Sequence, residues 1–128
     1  MQSTFRVIIA GSRDLESESV YQFLAKKCDD LLYKKHPDIE IVSGTARGID
    51  KLGERYAEDR GYMVRKFPAN WEADGKKAGI FRNIAMAEYA HALIAFWDGE
   101  SRGTAHMIQV AKEKGLLVRV IRIDVFNP

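Results

Sequence analysis

The 128-residue sequence predicts an α/β fold: a single Rossmann-like three-layer domain over residues 1–128, with a mainly parallel sheet of about five strands and helices on both faces. Short apolar runs alternate with longer segments whose apolar residues recur at helical spacing. Turns that contain Gly or Pro separate the two kinds of segment. The length suits one domain with a core of its own. For one such unit we expect the strand order 3-2-1-4-5.

The first half of the chain contains three predicted strands and two predicted helices. Residues 5–10 (FRVIIA) form an apolar run that ends at a Gly-Ser pair, which is typical of a buried strand. Apolar residues follow helical spacing over residues 16–35, and a proline ends that helix. The run at 39–44 (IEIVSG) predicts the second strand. Residues 49–60 predict a helix that a glycine stops, and residues 62–67 (YMVRKF) predict the third strand.

The second half repeats the alternation after a longer connection. Residues 68–79 (PANWEADGKKAG) predict a polar loop, and apolar residues over 80–91 predict the third helix. The run ALIAFW (92–97) predicts the fourth strand. The turn DGESRG then opens a fourth helix that ends at Gly115, and LLVRVIRI (116–123) predicts the last strand.

Composition narrows the classes of function. The 20 basic and 18 acidic residues are interspersed and give a formal charge of +2, so a nucleic-acid partner is not expected. No apolar run approaches the roughly 20 residues that span a bilayer, so no membrane partner is expected. The single cysteine rules out an internal disulfide, and no Cys/His spacing suggests a metal. The chain enters a strand too early for a signal peptide, so we expect a cytoplasmic protein.

Three predicted strands end in turns of Gly, Ser and Thr that open helices: GSRD, SGTARGID and DGESRGT. In a doubly wound sheet, ligands bind at the carboxyl ends of the strands, where the strand order reverses. Helix amino ends there favour anions, and glycine lets a phosphate approach the backbone amides. A tight start of each helix would explain any one turn, but three at one edge favour a pocket for a phosphorylated ligand. The residues expected to bind it are Gly11, Ser12, Arg13, Ser43, Gly44, Thr45, Arg47, Ser101 and Thr104. None of the turns is a dinucleotide fingerprint or a P-loop, and we expect no bound cofactor.

Two tryptophans are candidates for stacking on a base. Trp71 lies in the polar loop beside two lysines, although it could equally pack on its own domain. Trp97 ends the fourth strand, next to Asp98. The Asp98 carboxylate could accept a hydrogen bond from a ribose hydroxyl, or it could serve as a turn or helix-cap residue.

Other polar residues near these turns have both a structural and a functional interpretation. Asp50 lies in the first turn of the second helix, where it could suit the helix dipole or pair with Arg47. Arg82 and Asn83 begin the third helix and face either a ligand or solvent. His106 follows the third turn, and we favour a structural role for it.

The motifs GSR, SGTARGID, ADGKKAGIFRNIAM and AFWDGESRGTAHMIQVAKEKG together resemble the YspA/YpsA-related branch of the SLOG superfamily. That superfamily also contains the LOG phosphoribohydrolases and the DNA-processing protein DprA. The resemblance extends over nearly the whole chain. It implies a Rossmann-like domain with a pocket for a nucleotide or a nucleotide-derived ligand, in bacteria and their phages. Relatives commonly form homo-oligomers, which leaves a homo-oligomer open for this chain.

The resemblance to LOG enzymes is incomplete at one important place. DGESRGT is similar to their PGGxGT turn, so Gly99, Gly103 and Thr104 correspond to the residues that cradle phosphate. Arg82 corresponds to an arginine that assists cleavage of the N-glycosidic bond. LOG enzymes have LEE directly after GT, which supplies a catalytic glutamate, whereas this chain has AHM at residues 105–107.

We therefore weigh two main functions. The first, which we favour, is a module that binds a nucleotide derivative as a sensor or by sequestering it, with Asn83 among its ligand-binding residues. The second is a nucleotide N-glycosidase with Arg82, Asp98 and Glu100 as catalytic residues, or His106 as the acid–base group. A DprA-like binder of single-stranded DNA would need a basic groove, which the charge does not favour.

Overall fold

The computed structural model describes residues 4–123. Its sheet has the order β3-β2-β1-β4-β5, and every neighbouring pair is parallel. The strands are β1 (Phe5–Gly11), β2 (Ile39–Ser43), β3 (Met63–Lys66), β4 (Ala92–Trp97) and β5 (Leu117–Arg122). The helices are α1 (Glu18–Leu32), α2 (Ile49–Arg60), α3 (Trp71–Asp74), α4 (Ala78–Tyr89) and α5 (Arg102–Glu113). The predicted fold class and strand order are confirmed.

The sheet has a separate core on each face, which gives the three layers. Along β1, Val7 and Ile9 pack on the face covered by α1 and α2. Ile8 and Ala10, which alternate with them, pack on the face covered by α4 and α5. Because both faces of the central strands are buried, these strands are continuous apolar runs rather than alternating ones.

Several element boundaries differ from the sequence prediction. Helix α1 begins at Glu18 because the Ser17 side chain caps it, accepting a hydrogen bond from the Val20 amide at 3.2 Å. The predicted loop at 68–79 contains α3 and a 3₁₀ turn, Gly75–Lys77. Asn70 caps α3 by accepting a hydrogen bond from the Ala73 amide at 3.1 Å. Four residues are too few to produce a helical period, so the sequence does not reveal α3.

The strand order reverses between the neighbouring central strands β1 and β4. The turns that follow β1, β2 and β4 lie together at the carboxyl edge of the sheet. Within residues 4–123, no helix is both long and apolar enough to span a bilayer.

Candidate functional site

A cleft opens at the carboxyl edge of the sheet, across β2, β1 and β4. It consists of an outer depression of about 540 Å³ and an inner depression of about 350 Å³. The two are adjoining, because Arg13, Ala46 and Arg82 line both of them. The outer depression is also lined by Gly44, Thr45, Arg47, Pro68, Ala69 and Trp71. The inner one is also lined by Ala10, Gly11, Asp50, Asn83, Met86, Ser101, Gly103, Thr104 and Met107.

Arg82 fixes the position of α4 relative to the turns that surround the cleft. Its Nη1 donates a hydrogen bond to the Gly44 carbonyl, and its Nε donates to Asn83 Oδ1 at 3.0 Å. Asn83 is buried, and its Nδ2 donates to the Gly103 carbonyl at 3.3 Å and lies 3.0 Å from His106 Nδ1. This chain of hydrogen bonds links the turn after β2 to the start of α5. Arg82 and Asn83 therefore face the cleft, and His106 supports Asn83 without lining either depression.

Asp50 places a carboxyl group in the lining of the inner depression, next to Ala46 and Arg82, which line both depressions. It is only 6% exposed, and its Oδ2 accepts a hydrogen bond from the Ala46 amide at 3.0 Å. Burial raises the pKa of this carboxyl to about 6, partly offset by that hydrogen bond and by the nearby charges of Arg82 and Arg13. Of the two structural interpretations of Asp50, pairing with Arg47 is not the one observed, since Arg47 contacts Asp14 in an exposed ion pair at 3.2 Å.

Asp50 is not among the site residues that the sequence predicts. Its position in the first turn of α2, directly after a glycine-rich turn at the edge where ligands bind, is the available signal. Among residues 4–123 it is the only acidic side chain that lines either depression.

The turn after β2 has its own structural requirements. Thr45 has φ 66°, an unusual value for a residue other than glycine. The buried Ser43 hydroxyl donates to Glu54 Oε2 at 2.6 Å and accepts from the Thr45 amide at 3.1 Å. Gly48 has φ 79°, and a Cβ there would lie 2.4 Å from the Ser12 carbonyl oxygen. Ser43 and Gly48 thus shape the turn itself, and packing between two turns is sufficient to explain Gly48.

In the turn before α5, some residues hold the turn together and others line the cleft. Asp98 Oδ1 accepts hydrogen bonds from the amides of Ser101 and Glu100, each at 2.8 Å, and these bonds lower the pKa of Asp98. Asp98 therefore has the turn-forming role that was one of its two interpretations, and its contact with a ribose stays a prediction. Gly99 has φ 86°, and a Cβ there would lie 2.5 Å from the Arg122 guanidinium. Gly103 differs: among residues 4–123, apart from its chain neighbours and the backbone of its own helix, no atom lies within 4 Å of where its Cβ would be.

The first turn of α5 leaves backbone donors available at the inner depression. Ser101 is the N-cap residue, but its hydroxyl accepts no hydrogen bond from a backbone amide of that turn and instead pairs with the Thr104 hydroxyl at 3.1 Å. The first intrahelical hydrogen bond is donated by the Ala105 amide to the Ser101 carbonyl. Within residues 4–123, the amides of residues 102–104 have no partner.

The remaining predicted residues lie in or outside the cleft as follows. Trp71 is 54% exposed and lines the outer depression. Trp97 lines neither depression: its Nε1 donates to the Ser101 carbonyl at 3.0 Å, and the Arg122 guanidinium lies over its ring. Glu100 lies with Asp98 and Ser12 in a third depression of about 300 Å³, next to Arg13.

Two residues of the turn after β1 have structural roles. A Cβ on Gly11 would lie 2.1 Å from the Phe96 carbonyl oxygen, so only glycine fits against β4. The buried Ser12 hydroxyl accepts a hydrogen bond from the Asp98 amide at 3.2 Å. Arg13 is the residue of this turn that brings charge to the cleft.

The cleft is therefore cationic, with three arginines around one buried carboxyl. Arg13, Arg47 and Arg82 supply fixed positive charge, and α5 supplies free amides. Such a combination suits an anion attached to a larger polar molecule. Among residues 4–123, no group of His, Cys, Asp and Glu is arranged to hold a metal ion.

Comparisons with known proteins agree with this architecture. The Gene 61 protein of Mycobacterium phage D29 is 37% identical in an alignment 120 residues long, which covers 88% of this chain and 93% of the phage protein. The X-ray structure of DNA processing protein A (DprA) from Streptococcus pneumoniae superposes with a TM-score of 0.74 at 19% identity. That match covers 97% of this chain but 52% of the DprA chain, so this chain spans about half of DprA. A profile of the YspA, cpYpsA-related SLOG family matches residues 5–73, from β1 into α3. The chain belongs to the YspA, cpYpsA-related SLOG family.

Proposed function

We propose that the cleft binds a phosphorylated, nucleotide-derived small molecule and that the protein acts as a sensor of that molecule or sequesters it. The observation that carries the proposal is the convergence of Arg13, Arg47, Arg82 and the free amides of α5 on one cleft. Backbone amides at a helix amino end and guanidinium groups are strong donors to phosphate oxygens. The volumes of the two depressions are within the range of small-molecule pockets, about 300–1,000 Å³.

The two depressions suggest how such a ligand would lie. Its phosphate would bind at the start of α5 in the inner depression, near Gly103 and Thr104. Its base would lie in the outer depression, where the exposed indole of Trp71 offers a stacking surface. Membership in a SLOG family agrees with a nucleotide-related ligand.

A second candidate function is hydrolysis of the N-glycosidic bond of the bound nucleotide. The buried Asp50 carboxyl beside Arg82 favours it, because such cleavage needs a carboxylate near the ribose and a pKa of about 6 suits proton exchange at neutral pH. Asp98 and Glu100 line the third depression and neither depression of the cleft, so Asp50 replaces them as the candidate carboxylate.

Saturation-transfer proton NMR with AMP, GMP, CMP, UMP, NAD and ADP-ribose, followed for hours, tests both candidates. The proposal expects saturation transfer to at least one phosphorylated ligand and none to the matching nucleoside. Free base that accumulates with wild-type protein, and fails to accumulate with Arg82→Ala, would favour the hydrolase. Bound ligand with no free base would favour the sensor.

Gly103→Val tests the position of the pocket. Valine would project into open space rather than into the protein, so the fold should persist while the phosphate position is blocked. We expect affinity to fall by about tenfold or more, equivalent to about 1.4 kcal/mol. Gln109→Val, on an exposed position of the same helix, controls for a β-branched residue in α5. Unchanged affinity in a folded Gly103→Val protein would contradict the proposed pocket.

A further inference from the structure

We propose that Asp50 accepts hydrogen bonds from the free 2′,3′-hydroxyl pair of a ribose, so that the cleft selects ribonucleotides over nucleotides that lack these hydroxyls. This inference rests on the proposed function and names the sugar that the site takes. It assigns a binding role to a residue whose surroundings are otherwise unfavourable for a carboxylate.

One oxygen of Asp50 is held by the protein and the other is available. Oδ2 accepts from the Ala46 amide at 3.0 Å, whereas Oδ1 has no hydrogen-bond partner among residues 4–123. No side-chain oxygen or nitrogen in this part of the chain is both fully buried and unpartnered. Because Asp50 lines the inner depression, Oδ1 retains its small exposure toward the cleft.

The position of the Asp50 carboxyl limits the kind of ligand group that can form a hydrogen bond with it. A phosphate beside an ionised Asp50 would be repelled, so the phosphate belongs near the α5 amides and the arginines. The partner of Oδ1 must instead be a neutral donor. Asp50 is hydrogen-bonded to Ala46, and the field of Arg82 acts on it; both of these residues line both depressions.

Asp50 therefore lines the inner depression, where the phosphate would bind, beside residues that also line the outer one, where the base would stack. A Cβ on Gly44, which lines the outer depression, would lie 2.9 Å from Asp50 Oδ2. In a nucleotide, the group between phosphate and base is the sugar. Its two neighbouring hydroxyls are neutral donors that a carboxylate oxygen accepts well. Selection of the ribose diol follows from this order of groups along the cleft.

The test compares two forms of one nucleotide. Whichever of AMP, GMP, CMP and UMP binds most tightly is titrated by calorimetry at pH 7.5, beside its 2′,3′-dideoxy counterpart. We expect the ribonucleotide to bind about 10- to 100-fold more tightly, the range for hydrogen bonds to a charged acceptor. Equal affinity of the two forms for the wild-type protein would overturn the inference, whatever any variant does.

The variant Asp50→Asn tests whether Asp50 causes the selection. Its side-chain oxygen can still accept from Ala46, which directs its amide, a donor, to the place of Oδ1. We expect the selection to shrink to about threefold or less, while Glu58→Gln, an exposed position on the same helix, keeps it. Undiminished selection in a folded Asp50→Asn protein would also overturn the inference.

The experiment separates this inference from the proposed function. If both nucleotide forms bind equally, the pocket remains and only the role of Asp50 is overturned. If a base amino group were the donor instead, changing the base would alter affinity and removing the diol would not. If no nucleotide binds at all, the proposed function is overturned and the inference with it.

Discussion

Among single residues, Asp50 combines deep burial with a titratable group, and its surroundings connect stability to pH. Burial raises the pKa of its carboxyl from 3.8 to about 6. Arg82 from α4 and Arg13 from the turn after β1 favour the charged form, whereas Glu54 on the same helix opposes it. The folded state therefore binds the proton more tightly than the unfolded state does. Stability from this group is present below about pH 4 and is lost as pH rises through about 6.

The variant Asp50→Asn should therefore stabilise the protein at neutral pH. A shift of about two pKa units corresponds to up to about 3 kcal/mol, so we expect a gain of up to that size at pH 7.5 and little difference at pH 4. Urea unfolding across this pH range measures it. Asp98→Asn is the contrasting control: backbone hydrogen bonds lower the pKa of Asp98, so its replacement should destabilise the protein at neutral pH. A wild-type protein as stable as Asp50→Asn at pH 7.5 would contradict the prediction.

Such a result would have a functional meaning as well. A buried carboxylate that destabilises the fold at neutral pH is more readily explained by a role in binding or catalysis than by a role in packing.

At the scale of elements, the turns after β1 and β2 support one another through backbone contacts. The Ile49 amide donates to the Ser12 carbonyl at 3.2 Å, and Gly48 lies against the same carbonyl. These contacts position the residues that face the cleft from both turns, including Arg13 and Ala46. The cleft therefore depends on how closely the two turns approach.

The variant Gly48→Ala should separate the two turns. Gly48 and Gly115 have nearly the same φ, 79° and 80°, but only at Gly48 would a Cβ meet other atoms. Gly115→Ala therefore measures the cost of a positive φ without such contacts, about 1–2 kcal/mol. Gly48 in addition has ψ −130°, outside the left-handed helical region, which adds backbone strain to the Cβ contacts. We expect Gly48→Ala to destabilise the protein by at least about 1 kcal/mol more, and to weaken nucleotide binding where Gly115→Ala does not. Equal losses of stability in urea unfolding would mean that the turns adjust to the added methyl group.

How well the sequence predicts each element depends on how local its cause is. The apolar runs of the central strands follow from burial on both faces, and residues such as Val7 and Ile8 reveal it directly. The turns after β1, β2 and β4 are predicted from the glycine, serine and threonine residues that follow each strand in the sequence. Helix α3 has four residues, capped by Asn70, and four residues are too few to show a helical period of apolar side chains. The environment of Asp50 consists of its burial, its hydrogen bond with Ala46 and the nearby charge of Arg82. Hydrophobic periodicity carries no information on these contacts, so the structure is needed to make Asp50 a candidate.

At the scale of the whole molecule, charge is balanced overall but concentrated at the cleft. The formal charge is +2, yet in the described part of the chain three arginines line the two depressions and the single carboxyl there is that of Asp50, in the inner one. Local charge of this kind suits one small anion. A polynucleotide needs a longer cationic surface, because its affinity comes from many phosphate contacts along the strand.

The DprA-like fold makes this distinction experimentally important, since the fold alone does not choose between a small ligand and DNA. We expect the preferred mononucleotide to bind at 150 mM NaCl with an affinity that changes little on replacing it with a dinucleotide or a longer strand. Fluorescence anisotropy with 5′-labelled oligoribonucleotides of increasing length, whose 3′-terminal ribose keeps its free diol, measures both beside calorimetry with the mononucleotide. Each phosphate contact with a single strand contributes a slope of about −0.7 to the logarithmic salt dependence. A slope that becomes steeper with strand length would reveal a path for nucleic acid across the surface and contradict a site for one small ligand. A slope that stays at the value for one or two phosphate contacts would fit the arginines of the cleft alone.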